Sequence, residues 1–378
     1  MSIGDYGLVL YERWMRLLDL QKLKLERTVS STNNPNLDVG IYTYCDSNYL
    51  DRFFALYLSI LQQDFNSSFY IICLDDLALK IIEDLYLPNV FSISLMQIEE
   101  QYPTLKTIKL GRPTVEYYYA LSPVLPLFLF DNYPSLKSIC YLDSDLLFFE
   151  SPSKLFEDLG CNSVWIRSHD YSKELRDFEE RFGRFNVGCL IFKNDENARK
   201  CLHNWKEKCF ESTSLDPTSN VFGDQKYLDL WLIDFDAIHA SELKGANVGP
   251  WNFKNYKISQ QGQSILIDEE SLIFYHFQGL RLLGPCFYFP SPTDYGTYPA
   301  AWIKLLYEPY VFILRKIRHD LKSMYREYNP STPLRGQNPN KLEIFEKLLM
   351  GYVKFDYTFL KSIKIWLGEQ HVKTIGDF

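Results

Sequence analysis

The segment SICYLDSDLLFFE, residues 138–150, places two aspartates directly after a short apolar strand. Asp143 and Asp145 follow SICYL with one serine between them. Ligands of open α/β sheets bind at the carboxyl ends of the strands, so both side chains are expected at a ligand-binding edge. Carboxylates two residues apart can point the same way from an extended segment and supply the oxygen ligands that Mg²⁺ or Mn²⁺ requires. The segment predicts a divalent-cation site; the alternative is a solvated Asp pair in a turn.

The sequence around this segment alternates between strand-like and helix-like patterns. This alternation is typical of βαβ units and predicts an α/β fold with a mostly parallel, mixed sheet flanked by helices. Strands are predicted at residues 40–45, 69–74, 90–95, 138–142, 146–149, 163–166, 185–192 and 271–277. Helices are predicted at residues 49–62, 78–86, 114–134 (broken by prolines) and 196–209.

Two other strands bring polar groups to the same edge. The first ends in CDSNY at 45–49, which suits a base and a ribose. The last leads into HFQG at 276–279, and the imidazole of His276 could complete a cation site with the two aspartates. A nitrogen ligand would favour Mn²⁺ over Mg²⁺. The alternative is a core histidine.

These motifs resemble those of the GT-A nucleotide-sugar transferases, most closely bacterial glycosyltransferases of the retaining family-eight type. They occur in the family's order over about residues 39–285: CDSNY at 45–49, YLDSDLLFF at 141–149, FNVG at 185–188, GDQ at 223–225 and HFQG at 276–279. The resemblance implies a GT-A fold and a divalent metal, Mn²⁺ or Mg²⁺, held by Asp143, Asp145 and His276. It assigns donor contacts to Tyr42, Thr43, Asp46, Asn48, Ser144, Gly279 and Arg281.

The sequence departs from the family pattern at two positions. The Lys-Pro-Trp that usually follows HxxG and contacts the diphosphate is missing, and Arg281 is the nearest substitute. Ala120 stands where many relatives carry an arginine directed at the donor. Lys109 or Arg112 is a candidate replacement for that arginine.

The sugar side of the site is expected to involve two other segments. The resemblance places Asp224, Gln225 and Asn186 at the reacting centre, with Asp224 facing the donor sugar. Asp224 could instead cap a helix. Residues 244–252, KGANVGPWN, are dense in Gly, Asn and Trp. They predict either a loop folded around a sugar through Asn247, Trp251 and Asn252, or a surface loop with one anchoring tryptophan.

The function expected from this resemblance is metal-dependent transfer of a hexose from a UDP-sugar to a glycan or lipid-linked acceptor in polysaccharide biosynthesis, with retention of configuration. Retention is open to front-face attack or to a covalent intermediate on a carboxylate such as Asp224. One alternative is a non-catalytic UDP-sugar-binding scaffold. Another is a sugar nucleotidyltransferase, which needs a glycine-rich basic loop where this chain has CDSNYLDRFF.

Three regions are predicted along the 378 residues: an N-terminal helical arm at 1–38, a catalytic domain at 39–285 and a C-terminal helical extension at 286–378. The extension is amphipathic and locally basic. Its helices are predicted either to contact an anionic membrane or to pack on the catalytic domain or a second subunit.

Composition narrows the function classes further. The net charge of −8 argues against a general nucleic-acid binder. Eight cysteines without a CxxC spacing are expected to be reduced core residues. With no signal peptide or apolar membrane span in the sequence, a cytoplasmic location is expected, with peripheral contact at the inner face of the membrane. The oligomeric state is left open.

Overall fold

The computed structural model describes residues 38–216, 221–284, 286–330, 347 and 350–355. Residues 1–37 of the predicted N-terminal arm, and most of the chain after residue 330, lie outside these described residues.

The described residues form a succession of strands and helices, with a π-helical turn at Ile303–Tyr307 joining the last two helices. The strands are β1 (Val39–Cys45), β2 (Ser68–Cys73), β3 (Val90–Ser94), β4 (Ser138–Leu142), β5 (Leu146–Phe148), β6 (Val164–Ser168), β7 (Phe185–Lys193), β8 (Ile238–Ser241), β9 (Ile258–Gln261), β10 (Ser264–Ile267), β11 (Glu270–Ser271), β12 (Phe274–His276), β13 (Arg281–Leu283), β14 (Phe287–Phe289) and β15 (Lys354–Phe355). The helices are α1 (Leu50–Leu61), α2 (Asp76–Leu85), α3 (Leu95–Gln101), α4 (Thr104–Gly111), α5 (Thr114–Leu121), α6 (Val124–Asn132), α7 (Ser153–Leu159), α8 (Asp177–Phe182), α9 (Glu196–Glu211), α10 (Trp231–Asp234), α11 (Ala300–Trp302) and α12 (Glu308–Met324).

Seven strands form the central sheet in the order β3-β2-β1-β4-β7-β6-β8. The pairs β3/β2, β2/β1, β1/β4 and β6/β8 are parallel, whereas β7 runs antiparallel to both of its neighbours. The prediction of an α/β fold with a mostly parallel, mixed sheet flanked by helices is therefore confirmed.

Apolar layers cover both faces of this sheet. Successive residues of a strand point to opposite faces, and β1 follows this rule: Ile41 enters the layer that contains α1, whereas Tyr42 enters the layer that contains α6 and α9. With both faces covered, polar groups are expected to collect at the strand ends.

A short antiparallel pair of strands, β5 and β12, brings distant segments together at one edge. Leu146 pairs with His276, and the amide of Phe277 donates to the carbonyl oxygen of Asp145 at 3.0 Å. The DSD and HFQG segments are thereby held next to each other.

The segment after residue 285 continues the fold. Strands β13 and β14 pair across the predicted boundary, and α12 shares an apolar layer with α1. The division at 285/286 stays a prediction. Among the described residues, no helix combines the length and the apolar character that a membrane span requires.

All eight cysteines are free, and six of them are buried. Cys161 is exposed and Cys286 is half-buried. The prediction of core thiols is therefore confirmed for the other six.

Candidate functional site

The two predicted aspartates and the predicted histidine meet at the sheet edge. The Nε2 atom of His276 lies 3.0 Å from Oδ1 of Asp145 and 3.6 Å from Oδ2 of Asp143. One ligand atom from each of the three residues lies within 4.8 Å of the others. Two carboxylate oxygens and one imidazole nitrogen are a donor set that divalent cations accept. We call these three residues the triad.

The backbone fixes the position of each member of the triad. Asp143 follows β4, and its amide donates to the carbonyl oxygen of Gly188 on β7 at 2.9 Å. His276 ends β12, and its amide donates to the carbonyl oxygen of Val248 at 2.8 Å. His276 therefore lies on a strand, and the two aspartates lie in the three-residue connection between β4 and β5.

Gly188 leaves room beside the triad. A Cβ atom at this position would lie 2.8 Å from Cε1 of His276 and 3.0 Å from Oδ2 of Asp143, which is too close for any side chain. The amide of Gly188 donates to Oδ1 of Asn186 at 2.8 Å. The glycine of FNVG is thus a steric requirement of the site.

Opposite charges inside the triad balance the cost of burial. Burial lowers the pKa of His276, but the carboxylates of Asp145 and Asp143 outweigh this effect and raise the pKa overall. Burial raises the pKa of Asp145, but His276 and the buried Arg52 outweigh it, so the pKa is lowered overall. The carboxylates of Asp143 and Asp145 therefore favour a positive charge beside them.

The loop at 244–252 packs behind His276. The indole of Trp251 meets the imidazole of His276 edge-on, with ring centroids 5.2 Å apart. Asn186 donates to the side chain of Asn247 at 2.8 Å, and Asn252 accepts from the amide of Gly249 at 2.9 Å. The predicted site residues Trp251, Asn186, Asn247 and Asn252 are all buried. Their side chains hold the loop against the triad, and direct contact with a sugar stays a prediction.

Asp224 is buried close to the triad. Ser122 donates to its Oδ2 at 2.5 Å. Burial raises the pKa of Asp224 to about 7, and the nearby charge of Asp143 adds to this rise. The short helix that follows begins at Lys226, and no side chain caps it. The helix-cap alternative for Asp224 is therefore not supported.

Three hydroxyl groups that the sequence analysis did not identify, those of Tyr141, Tyr44 and Ser122, link the carboxylate of Asp143 to that of Asp224. Tyr141 donates to Oδ1 of Asp143, and its ring stacks on that of Tyr44 at 5.7 Å. Tyr44 in turn bonds to Ser122, the partner of Asp224. The sequence signal for these linked hydroxyl groups was a tyrosine near the end of β1 and another near the end of β4.

Gln225 contacts a neighbouring helix rather than the triad. Its Nε2 donates to the carbonyl oxygen of Phe182, the last residue of α8, at 2.7 Å. The side chain therefore fixes α8 beside Asp224.

The predicted nucleotide side lies at the end of β1. Asp46 accepts from the amide of Asn48 at 3.0 Å, and burial raises the pKa of Asp46. Ser47 donates to Asp75 through its amide and its hydroxyl. Tyr42 and Thr43 are fully buried within the strand. Of the four predicted nucleotide contacts, only Asp46 and Asn48 are therefore partly exposed. Nucleotide contacts at all four positions stay predictions.

The segment after His276 turns sharply. Gly279 adopts a φ of +74°, and a Cβ atom there would lie 2.4 Å from Cδ of Pro292. Two residues later, Arg281 lies half-buried over the ring of Phe289, 5.4 Å from its centroid. Ser144 is buried between the two aspartates. Donor contacts by these residues stay predictions.

Both cations suggested as replacements for the family arginine have structural partners. Lys109 pairs with Glu99 at 2.7 Å. Arg112 donates to the carbonyl oxygen of Cys209 at 2.8 Å and to Thr213 at 2.9 Å. Ala120 is fully buried. The two cations thus tie α4 to α3 and to the end of α9.

Comparison with known proteins finds relatives in Bacillus subtilis strain 168. The uncharacterized protein YfnD is 28% identical over 266 residues, which is 68% of this chain and 83% of YfnD. The uncharacterized protein YfnF is 32% identical over 236 residues, which is 61% of this chain and 77% of YfnF. No protein-family model matches the sequence.

Among solved structures, the galactosyltransferase LgtC in complex with donor and acceptor sugar analogs superimposes with a TM-score of 0.45 at 15% sequence identity. That superposition covers 73% of this chain and 95% of LgtC.

Proposed function

The chain belongs to the same protein family as the uncharacterized YfnF of Bacillus subtilis, and from the geometry of its own site we propose that it is a metal-dependent glycosyltransferase. The proposed reaction moves a hexose from a UDP-sugar to a hydroxyl group of a glycan or a lipid-linked acceptor. This transfer would serve polysaccharide biosynthesis.

The observation that carries this proposal is the triad of Asp143, Asp145 and His276. Its two carboxylates and one imidazole fit a divalent cation, and Gly188 keeps the adjacent space free of a side chain. The imidazole nitrogen favours Mn²⁺ over Mg²⁺. When bound, such a cation would neutralise the departing nucleoside diphosphate.

The proposed donor site extends from the triad toward β1. Asp46 and Asn48 offer hydrogen-bonding groups for the base and ribose, and Arg281 offers a positive charge for the diphosphate. A loop for a triphosphate is not expected here, because CDSNYLDRFF contains no glycine. This absence from the sequence disfavours the nucleotidyltransferase alternative.

Asp224 is proposed to act on the donor sugar. Its carboxylate is buried, and the charge of the nearby Asp143 raises its pKa. Positive charge that develops at the anomeric carbon during transfer would be stabilised by this carboxylate in its ionised form. Ser122 holds the carboxylate in place.

The proposed stereochemical outcome is retention. Proton NMR of the newly made glycosidic bond tests it, and an α-linked donor should give an α-linked product. A β-linked product would contradict retention while leaving the transferase proposal in place.

The experiment that tests the proposed function is a screen of UDP-sugars for Mn²⁺-dependent hydrolysis. We expect one or a few donors to be hydrolysed by the wild-type protein, and we expect EDTA and Asp145→Asn each to abolish the reaction. UDP binding with Mn²⁺, but no hydrolysis of any donor and no transfer, would favour the non-catalytic scaffold instead.

A further inference from the structure

Five partly exposed aromatic residues form a continuous surface that has no role in the reaction proposed above. We call this surface the aromatic ridge; its members are Tyr171, Phe178, Phe182, Phe222 and Tyr295. Phe178 lies at its centre, with ring centroids 4.9 Å from Phe182, 5.9 Å from Tyr171 and 6.4 Å from Tyr295. Phe222 extends the ridge from Phe182 at 4.6 Å.

The ridge lies at the same edge of the sheet as the triad. Strand β7 runs antiparallel to β4, and Cys189 pairs with Leu142, so the residues before Cys189 project past the end of β4. The connection from β6 to β7, which contains α8, therefore lies at the same edge of the sheet as Asp143. Most of the ridge belongs to this connection.

Each end of the ridge is tied to a residue of the site. Phe222 is two residues before Asp224, and Gln225 holds the carbonyl oxygen of Phe182 at 2.7 Å. At the other end, the hydroxyl of Tyr295 donates to Gln278 at 3.0 Å, two residues after His276. The ridge thus extends from the segment that contains Asp224 to the HFQG segment.

The strand order places the ridge opposite the nucleotide side. Along the edge, Asp46 and Asn48 follow β1, the DSD segment follows β4, and the connection with α8 joins β6 to β7. A donor whose nucleotide lies over β1 and whose diphosphate lies at the triad would direct its sugar toward β7. A second substrate would then approach from the ridge.

The surroundings of the ridge combine apolar rings with paired charges. Arg181 lies over Phe178 and Phe182, at 5.5 and 4.8 Å from the ring centroids. A groove of about 480 Å³ on α8 and its neighbours is lined by Arg176, Glu179, Glu180, Arg184 and Asp229. Because arginines and carboxylates are nearly balanced here, the surface does not favour an anionic lipid or a nucleic acid.

Carbohydrates match this combination. A sugar ring offers an apolar C–H face that can pack on an aromatic ring, and hydroxyl groups that can bond to carboxylates and guanidinium groups. We propose that the aromatic ridge binds the acceptor as a neutral carbohydrate, with Phe178 as the central stacking residue. This inference rests on the proposed glycosyltransferase function and names the class of its second substrate. Gln225 then holds α8, and with it Phe178 and Phe182, beside Asp224.

Saturation-transfer NMR with lactose, cellobiose and maltose as probes tests the inference. The wild-type protein should transfer saturation to the ring protons of at least one of these sugars. Phe178→Leu, which keeps an apolar side chain but loses the ring, should weaken that binding about threefold to tenfold. Phe178→Tyr should retain it. Phe91→Leu is the matched control, because Phe91 is also partly exposed but lies on β3, at the far edge of the sheet.

Three outcomes would overturn the inference. They are no saturation transfer from the wild type to any probe, equal transfer by the wild type and Phe178→Leu, and a wild-type dimer that Phe178→Leu converts to a monomer in light scattering. The last outcome would assign the ridge to a second copy of the chain. Calorimetry of UDP with Mn²⁺ distinguishes a failure of the proposed function from a failure of the ridge proposal. If the wild type does not bind UDP, the proposed function is contradicted, whereas the NMR result tests only carbohydrate binding at the ridge.

Discussion

Gly188 shows how a single missing side chain shapes the site. A Cβ atom there would lie 2.8 Å from Cε1 of His276 and 3.0 Å from Oδ2 of Asp143, which is closer than van der Waals contact allows. Gly188→Ala should therefore displace a ligand and lower Mn²⁺ affinity about 10- to 100-fold. Isothermal titration with Mn²⁺ measures this change.

Gly111→Ala is the control for that substitution, because a Cβ atom at Gly111 meets nothing within 4 Å. It should leave Mn²⁺ affinity unchanged. Equal Mn²⁺ affinity in the wild type and Gly188→Ala would show that the triad is not the cation site.

Asp224 should give the protein a characteristic dependence of stability on pH. Burial raises its pKa to about 7, so between about pH 4 and about pH 7 the folded protein keeps a proton that the unfolded chain has lost. The free energy of unfolding therefore falls as the pH rises through this window, by on the order of a few kcal/mol. Asp224→Asn cannot ionise and should lose this part of the slope.

Urea unfolding of the wild type and Asp224→Asn across this pH range tests the prediction. The difference between the two proteins isolates Asp224 from the other titrating groups. Parallel curves for the two proteins would mean that Asp224 ionises as readily in the folded state as in the unfolded chain.

At the residue scale, sequence reasoning identified side chains whose chemistry is visible in isolation. Asp143, Asp145 and His276 were found because carboxylates and an imidazole follow apolar strands. Tyr44 and Ser122 were missed because a hydroxyl gains its role only from neighbours that the fold supplies.

At the scale of elements, a buried ion cluster joins α12 to α1. Asp51 is fully buried between Arg52, at 3.1 Å, and Arg318, at 2.6 Å. Arg52 also donates to the carbonyl oxygen of Leu280, just beyond the HFQG segment. Asp51→Asn would remove the carboxylate that both arginines share and should destabilise the protein by about 3–5 kcal/mol. Urea denaturation followed by fluorescence measures the loss.

The exposed ion pair of Lys80 and Glu327 provides the control for this cluster. Lys80→Ala should leave the denaturation midpoint nearly unchanged, since exposed pairs are screened by solvent. Similar midpoints for Asp51→Asn and the wild type would mean that α12 does not depend on this cluster.

Six of the seven central strands were predictable because buried strands read as apolar runs bounded by turns. The seventh, β8, was not predicted, because its four residues IHAS are only partly buried and form no apolar run. The pairing of β5 with β12 was not predictable, since it joins segments far apart in the chain and leaves no local pattern. The short helices α3, α4, α7 and α8 were also missed, because six to eight residues, such as DFEERF of α8, are too few for a helical period to be recognised. The loop containing Trp251 was identified by composition, but composition does not distinguish a ring that faces a ligand from one that packs behind His276.

At the scale of the whole molecule, the shared apolar layer predicts one cooperative unit. Residues of α12 and of the β13–β14 hairpin pack in the same layer as α1 and β1. Unfolding in urea should therefore follow a single transition, with tryptophan fluorescence and far-ultraviolet circular dichroism coinciding. Two separate transitions would instead support independent folding of the predicted domain at 39–285.

The central claim is that the triad holds the divalent cation of a UDP-sugar transferase. The most direct measurement is a crystal structure grown with UDP and Mn²⁺, with anomalous diffraction recorded at the manganese edge. We expect one anomalous peak at ligand distance from Asp143, Asp145 and His276, in contact with the diphosphate of UDP. A peak elsewhere, or UDP bound while the triad carries no manganese, would contradict the claim.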